Sequence, residues 1–186
     1  KVWQLLRARF PWLLIGLLGG ILGALVLGSH ESELAQVTEL AFFIPLIAAM
    51  AGNVGVQSSS IVVQSIASGV KEIESTGKRL LKELLVALST ASIFAILIFF
   101  YNYFSQGNMA LTYSVAISLF IVIIFASVFG TFIPMFLHRL KIDPALATGP
   151  FITTMNDIIG LFIYLGIGKM FFELISGFKD SLNQSF

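Results

Sequence analysis

The sequence contains no cysteine and few charged residues. Without cysteine, disulfide frameworks, thiolate zinc sites and cysteine nucleophiles are excluded, so any bound metal must be held by oxygen or histidine. Charged residues make up 11% of the 186 residues, whereas soluble domains have about 25%. Hydrophobic residues reach 57%, and the mean hydropathy is +0.94. This composition predicts an integral protein of the lipid bilayer, and the net charge of +1 gives no reason to expect a nucleic-acid partner.

Five apolar runs are near the roughly 20 residues that a helix needs to cross a bilayer. We predict spans at about 12–28, 39–68, 84–104, 111–137 and 144–172. In "KIDPAL", Asp143 can cap the last helix and Pro144 fits its first turn, so we expect that helix to start there. The predicted fold class is an all-α integral membrane protein with five transmembrane helices in one domain, 1–186. The alternative is four or six spans with a re-entrant segment.

The basic residues are concentrated on one side of the predicted spans. With five spans, nine of the eleven fall on the side of the amino terminus: Lys1, Arg7, Arg9, Lys71, Lys78, Arg79, Lys82, Arg139 and Lys141. Because Lys and Arg are in excess on cytoplasmic loops, we expect a multi-pass protein of the cell membrane. Its amino terminus is expected in the cytoplasm and its carboxyl terminus outside.

The first span contains a stripe of glycines. Gly16, Gly19, Gly20 and Gly23 form two overlapping GxxxG patterns. Small residues at this spacing let helix backbones approach closely in lipid. We predict that the stripe packs against a neighbouring helix and takes no part in transport.

The second span carries amides and hydroxyls within an apolar helix. On a helical wheel its polar side chains fall within about 80° of one another; they are Asn53, Gln57, Ser60, Gln64 and Ser68. An unpaired amide in hydrocarbon costs several kcal/mol. This polar stripe must therefore either hydrogen-bond a neighbouring helix or line a hydrated path, and the helix alone leaves both interpretations open.

The fifth span contains a carboxylate far from its ends. Asp157 lies 14 residues after the predicted cap, which is about 20 Å along a helix and near the middle of the membrane. The basic residues lie at span ends or in loops, and unpaired intramembrane carboxylates mark ion or proton pathways. Thr153, Gly160 and Tyr164 share its face. The alternative is a protonated Asp157 that is hydrogen-bonded to the polar stripe.

Oxygen ligands of several kinds are expected near this carboxylate. The pair Gly149-Pro150 removes an N–H and is expected to leave backbone carbonyls free. Carboxylate, amide, hydroxyl and carbonyl oxygens suit Mg²⁺ or Ca²⁺ rather than copper or zinc, and His30 and His138 lie at span ends. One carboxylate only half neutralises a divalent cation. A homodimer with a twofold axis along the membrane normal would bring two copies of Asp157 to one site, wide enough for hydrated Mg²⁺.

Two segments resemble the MgtE family of magnesium channels. "PLIAAMAGNVGVQSSS" is similar to the family's Pro…Gly-Asn-x-Gly-Asn-Gln-Ser segment, and "DPALATGPFITTMNDIIGLFIYL" to its Asp-Pro-Ala…Gly/Asn-Pro…Thr-x-x-Asp-x-x-Gly segment. The resemblance implies five spans per subunit and a homodimer with the pore on its twofold axis. It also implies a central Mg²⁺ site at Asp157 of both subunits. The other metal-site residues that it implies are Thr153, Asn53, Gln57, Val56 and Gly52.

The resemblance further implies ion binding at the two mouths of the pore, by Asp143 inside and Glu31 outside. Asp143 has a rival interpretation as the helix cap, and Glu31 as a solvated loop acid. Val56 stands where the family usually has its second asparagine, and Gly149 where some members have asparagine. Many members carry a cytosolic region with paired CBS modules before the pore. These 186 residues contain none, which fits a transmembrane piece of a longer protein or a shorter member.

We therefore predict a divalent-cation channel or transporter rather than an enzyme, with Mg²⁺ as the transported and bound ion. The alternative is a proton-coupled carrier for a small solute, in which Asp157 is the protonation site and the polar stripe binds substrate. A third interpretation, a membrane scaffold without transport, suits the glycine-rich first span but leaves the unpaired Asp157 without a role.

Overall fold

The protein is all-helical throughout the residues that the structure, a computed structural model, describes: 2–36, 38–68, 76–105, 108–146 and 149–184. The helices are α1 (Val2–Ser29), α2 (Glu31–Gln36), α3 (Glu39–Ala67), α4 (Thr76–Ser105), α5 (Met109–Arg139) and α6 (Pro150–Gln184), with a 3₁₀ turn at Pro144–Leu146. Five of them, α1 and α3 to α6, are long and apolar enough to cross a membrane. The predicted all-α class and the number of spans are confirmed. Lys1 and Lys71, which contribute to the predicted cytoplasmic charge, lie outside the described residues.

Helix α5 lies at the centre of the bundle and packs against α3, α4 and α6. The core fills the space between α3, α5 and α6, with a contribution from α4. Its members include Leu40, Ile47, Ala51, Ala91, Val115, Val122, Leu161 and Tyr164. The Tyr164 hydroxyl donates a hydrogen bond to the Leu40 carbonyl at 2.8 Å, which ties α6 to the start of α3.

Helix α1 lies at the periphery and packs mainly against α6. Within the glycine stripe, Gly19 packs closely against α6, because a Cβ at this position would overlap the Thr154 side chain. A Cβ on Gly16, Gly20 or Gly23 would meet no described atom within 4 Å. The structure therefore supports the expected packing role for Gly19 and leaves open space beside the other three glycines.

The last long helix begins at Pro150, so the predicted start at Pro144 is wrong. Asp143 does act as a cap, but its Oδ1 accepts the Ala145 N–H at 2.9 Å and so caps the short 3₁₀ turn. Gly149 then adopts φ +109°, which turns the chain into α6. Pro150 takes the first helical position, where its missing N–H costs no hydrogen bond. Asp157 consequently lies seven residues, or about 10 Å, from the start of its helix.

Two glycines bring the backbones of α3 and α5 together. A Cβ built on Gly130 would overlap the Gly55 carbonyl oxygen and lie 3.0 Å from its Cα. Dispersion between closely packed backbones is a main source of helix association in lipid, where no hydrophobic effect acts between helices. The contact therefore fixes the distance between α3 and the central helix.

We expect Gly130→Ala to destabilise the protein by about 1–3 kcal/mol, because the added methyl group must push α3 away from α5. The matched control is Gly166→Ala in α6, where a Cβ meets no described atom within 4 Å. The measurement is the midpoint of thermal unfolding in detergent. Equal midpoints for the two variants would contradict the close packing of α3 on α5.

Candidate functional site

Asp157 lies on the face of α6 that meets α3. It is half-buried, and a Cβ built on Gly52 would lie 3.4 Å from its Oδ1 and 3.7 Å from Thr153 Cγ2. The carboxylate therefore lies beside the α3 backbone, at van der Waals distance from the place that a Cβ would take. The structure thus brings together three of the predicted site residues, Gly52, Thr153 and Asp157.

The Asp157 carboxylate has no hydrogen-bond or ion-pair partner among the described residues. The alternative in which it bonds to the polar stripe is therefore not seen within one subunit. The same residues contain no group of three or more His, Asp or Glu side chains that could hold a metal ion. A single subunit supplies one carboxylate at this site, and further ligands must come from hydroxyl, amide or backbone oxygens, from water or from a second subunit.

Thr153 orients its hydroxyl toward the start of α6. Its Oγ1 donates to the carbonyls of Gly149 and Pro150 at 3.1 and 3.2 Å, and its N–H donates to the Gly149 carbonyl at 3.0 Å. The Gly149 carbonyl is therefore occupied and is not one of the free backbone carbonyls expected from the missing N–H of Pro150. The lone pairs of the Thr153 hydroxyl oxygen remain available to an ion or its waters.

The polar stripe faces away from the packed bundle. Asn53, Gln57 and Gln64 are exposed, whereas the opposite face of α3 is buried at Gly52, Gly55, Ser58, Ser59 and Val62. None of the three amides is hydrogen-bonded to a described side chain of its own subunit. Because amides in contact with lipid would be costly, this outward face needs water or a second subunit beside it.

The remaining predicted site residues lie elsewhere. Val56 is half-buried at the border between the polar stripe and the packed face of α3. Asp143 is exposed before the 3₁₀ turn that it caps, and Glu31 is exposed at the first position of α2. Neither acid borders the cavity beside Asp157.

A cavity of about 180 Å³ opens next to Asp157 between α1, α3 and α6. Its walls are formed by Gly16, Gly19, Gly20, Gly23, Ile44, Ala48, Thr154, Asp157, Ile158 and Leu161. The glycine stripe was expected to serve packing alone, but all four of its members border this space. The spacing of small residues was visible in the sequence, whereas the empty volume depends on how α1 crosses α6.

Sequence reasoning missed two polar groups behind the site, of which one is fully buried and the other half-buried. Asn156 is fully buried beside Gly55, and neither of its amide atoms is hydrogen-bonded to a described residue. Glu83 accepts hydrogen bonds from Ser58 and Ser127, which belong to two other helices. The predicted third span began at residue 84, one position too late to place Glu83 in it.

The chain is similar to known divalent cation transporters over most of its length. A family model for MgtE, described as a divalent cation transporter, matches residues 44–167. "Magnesium transporter MgtE" of Bacillus subtilis is 37% identical over 163 residues, which are 88% of this chain and 36% of the relative. The protein of the same name from Thermus thermophilus is 33% identical over 168 residues, 90% of this chain and 37% of the relative. The chain thus spans little more than a third of the length of these relatives.

Proposed function

Because the chain belongs to the MgtE family of divalent cation transporters, we propose that it moves Mg²⁺ across the membrane past a site centred on Asp157. The observation that carries this proposal is the position of Asp157, next to Gly52 within a spanning helix and without a partner among the described residues. The relatives are named as magnesium transporters, and none of these names describes an enzyme.

A cation supplies what this carboxylate lacks. A charge inside the membrane is costly unless another charge or water compensates it. Mg²⁺ is commonly bound through one or two carboxylates while it keeps several of its waters. Asp157 attracts the ion, and Thr153 accepts hydrogen bonds from its waters. Gly52 leaves room for this hydration shell because it has no side chain.

The polar stripe gives the path its second wall. Asn53 and Gln57 project from the side of α3 that no described helix of the same subunit covers. A homodimer with its twofold axis beside this face would enclose the amides and bring the second Asp157 to the same site, so that two negative charges balance one Mg²⁺. The exposed stripe is the feature that supports this arrangement.

The primary test is Mg²⁺ uptake by liposomes that contain the purified chain. We expect Asp157→Asn to reduce uptake to the rate of protein-free liposomes, because it removes the charge and keeps the size. Glu39→Gln, the same chemical change at an exposed residue in the first turn of α3, should retain uptake. Normal uptake by Asp157→Asn would overturn the site. Solute uptake that occurs only with a pH gradient would favour the proton-coupled carrier.

Assembly is tested with single cysteines, since the chain has none of its own. We expect Gln57→Cys to be cross-linked to its copy by a short bifunctional thiol reagent, because equivalent residues face each other across a twofold interface. Ile96→Cys, at an exposed apolar position of α4, is the control and should remain monomeric on a denaturing gel. Equal cross-linking at both positions, or at neither, would remove the basis for a shared site.

Ion preference is tested at Val56, which borders the polar stripe. We expect Val56→Asn to increase the ratio of Mg²⁺ to Ca²⁺ uptake about two- to tenfold, because a hydrogen bond to the ion's waters contributes about 0.5–1.5 kcal/mol. Mg²⁺ keeps its waters more firmly than Ca²⁺ and so gains more from such a contact. An unchanged ratio would mean that Val56 serves only to pack α3 against its neighbours.

A further inference from the structure

A half-buried carboxylate joins three helices behind the proposed ion path. Glu83 of α4 accepts a hydrogen bond through Oε1 from the Ser58 hydroxyl of α3 at 2.7 Å, and the same oxygen accepts one from the Ser127 hydroxyl of α5. The two hydroxyls are 3.1 Å apart. Ser58 and Ser127 are 6% and 3% exposed, so the hydroxyl ends of these bonds are buried, whereas Glu83 itself is half-buried.

A carboxylate is not required merely to hold these helices together. Glu83 lies seven residues into α4, about 10 Å along the helix, and apolar side chains of similar size could pack at this point. What the carboxyl group adds is direction, because its oxygen accepts hydrogen bonds only over a restricted range of distance and angle. The cluster therefore defines one rotational setting for the helices that it joins.

The position of Ser58 shows which helix is most affected. It follows Gln57 in the chain, and on a helical wheel it lies about 100° from Gln57 and about 140° from Asn53. The hydroxyl thus projects from the side of α3 away from the polar stripe. In the roughly two turns before Ser58, the buried face of α3 carries the glycines Gly52 and Gly55. Glycines permit close approach, but they have no side chains that would resist a local rotation of this part of the helix. The larger buried side chains of α3 lie a turn or more away from Ser58, and they are Leu40, Phe43, Ile47 and Val62.

We propose that Glu83 is a positioning residue that fixes the rotation of α3 through Ser58 and thereby presents Asn53 and Gln57 to the ion path. Glu83 does not itself contact the ion. Its effect on ion selection rests on the proposed transport function, whereas its effect on the orientation of α3 is measured without transport. The two can therefore fail separately.

The orientation of α3 is measured by the rate at which a water-soluble thiol reagent labels single cysteines in liposomes. In the otherwise unchanged protein, Gln57→Cys should react about tenfold faster than Ser59→Cys, which occupies a fully buried position. With Glu83→Leu added, we expect this ratio to fall about threefold or more, because the part of α3 around Ser58 then loses the directional bond that fixes its rotation. Glu83→Gln keeps an oxygen that accepts from both serines and should restore most of the ratio.

Two further variants keep this test decisive. Ser127→Ala removes one hydrogen bond of the cluster without altering α3 or Glu83. It replaces Glu83→Leu as the test variant if Glu83→Leu does not fold. It should lower the labelling ratio in the same direction. Ser92→Ala is the matched control, since the Ser92 hydroxyl is exposed on α4 and bonds only the Leu88 carbonyl of its own helix. The proposal is overturned if Glu83→Leu leaves the labelling ratio of Gln57→Cys to Ser59→Cys as it is in the parent protein. Where Glu83→Leu does not fold, an unchanged ratio in Ser127→Ala overturns it instead.

Transport supplies the second readout. We expect Ser127→Ala to lower the ratio of Mg²⁺ to Ca²⁺ uptake at least about twofold, because misdirected amides contact the ion's waters less well. Ser92→Ala should leave the ratio unchanged. If the parent protein takes up no Mg²⁺, the proposed function fails and the labelling ratios still decide the role of Glu83. If it takes up Mg²⁺ and Ser127→Ala leaves both readouts unchanged, the positioning role fails alone.

Discussion

An unpaired carboxylate in a membrane-spanning helix is the constraint on which this structure depends. Asp157 has no hydrogen-bond or ion-pair partner among the described residues and faces the α3 backbone at Gly52. A charge in this position must be compensated by a cation, water or a second subunit. The hydroxyl of Thr153 and the outward amides of α3 supply polar groups for a hydrated ion. Membership of a divalent cation transporter family is consistent with that need.

The packing of α3 explains how one helix can pack into the bundle on one face and line the proposed ion path on the other. Its buried face carries glycines that approach α5 and α6 closely, as at the contact of Gly55 with Gly130. Its exposed face carries Asn53 and Gln57. Ser58, held by Glu83, adds a directional bond behind that face. Close packing sets the distance between the helices, and we propose that the hydrogen bond sets their rotation.

Local sequence signals predicted much of this fold, and contacts between distant residues account for what they missed. The length and hydropathy of the apolar runs were sufficient for five spans, and the wheel separated the polar stripe of α3 from its packed face. The Asp143-Pro144 pair was misleading because the same residues cap a 3₁₀ turn as well as a long helix. The approach of Gly52 to Asp157 and the bonds of Glu83 join different helices. No spacing along the chain indicates them.

The most direct measurement is the location of Mn²⁺, used in place of Mg²⁺, by anomalous diffraction from crystals of the protein in lipid. The account predicts a peak within roughly 5 Å of Asp157 carboxylates from two subunits, the reach of a carboxylate that binds the ion directly at about 2.1 Å or through one of its waters. An ion bound elsewhere, with Asp157 hydrogen-bonded to protein groups, would contradict it.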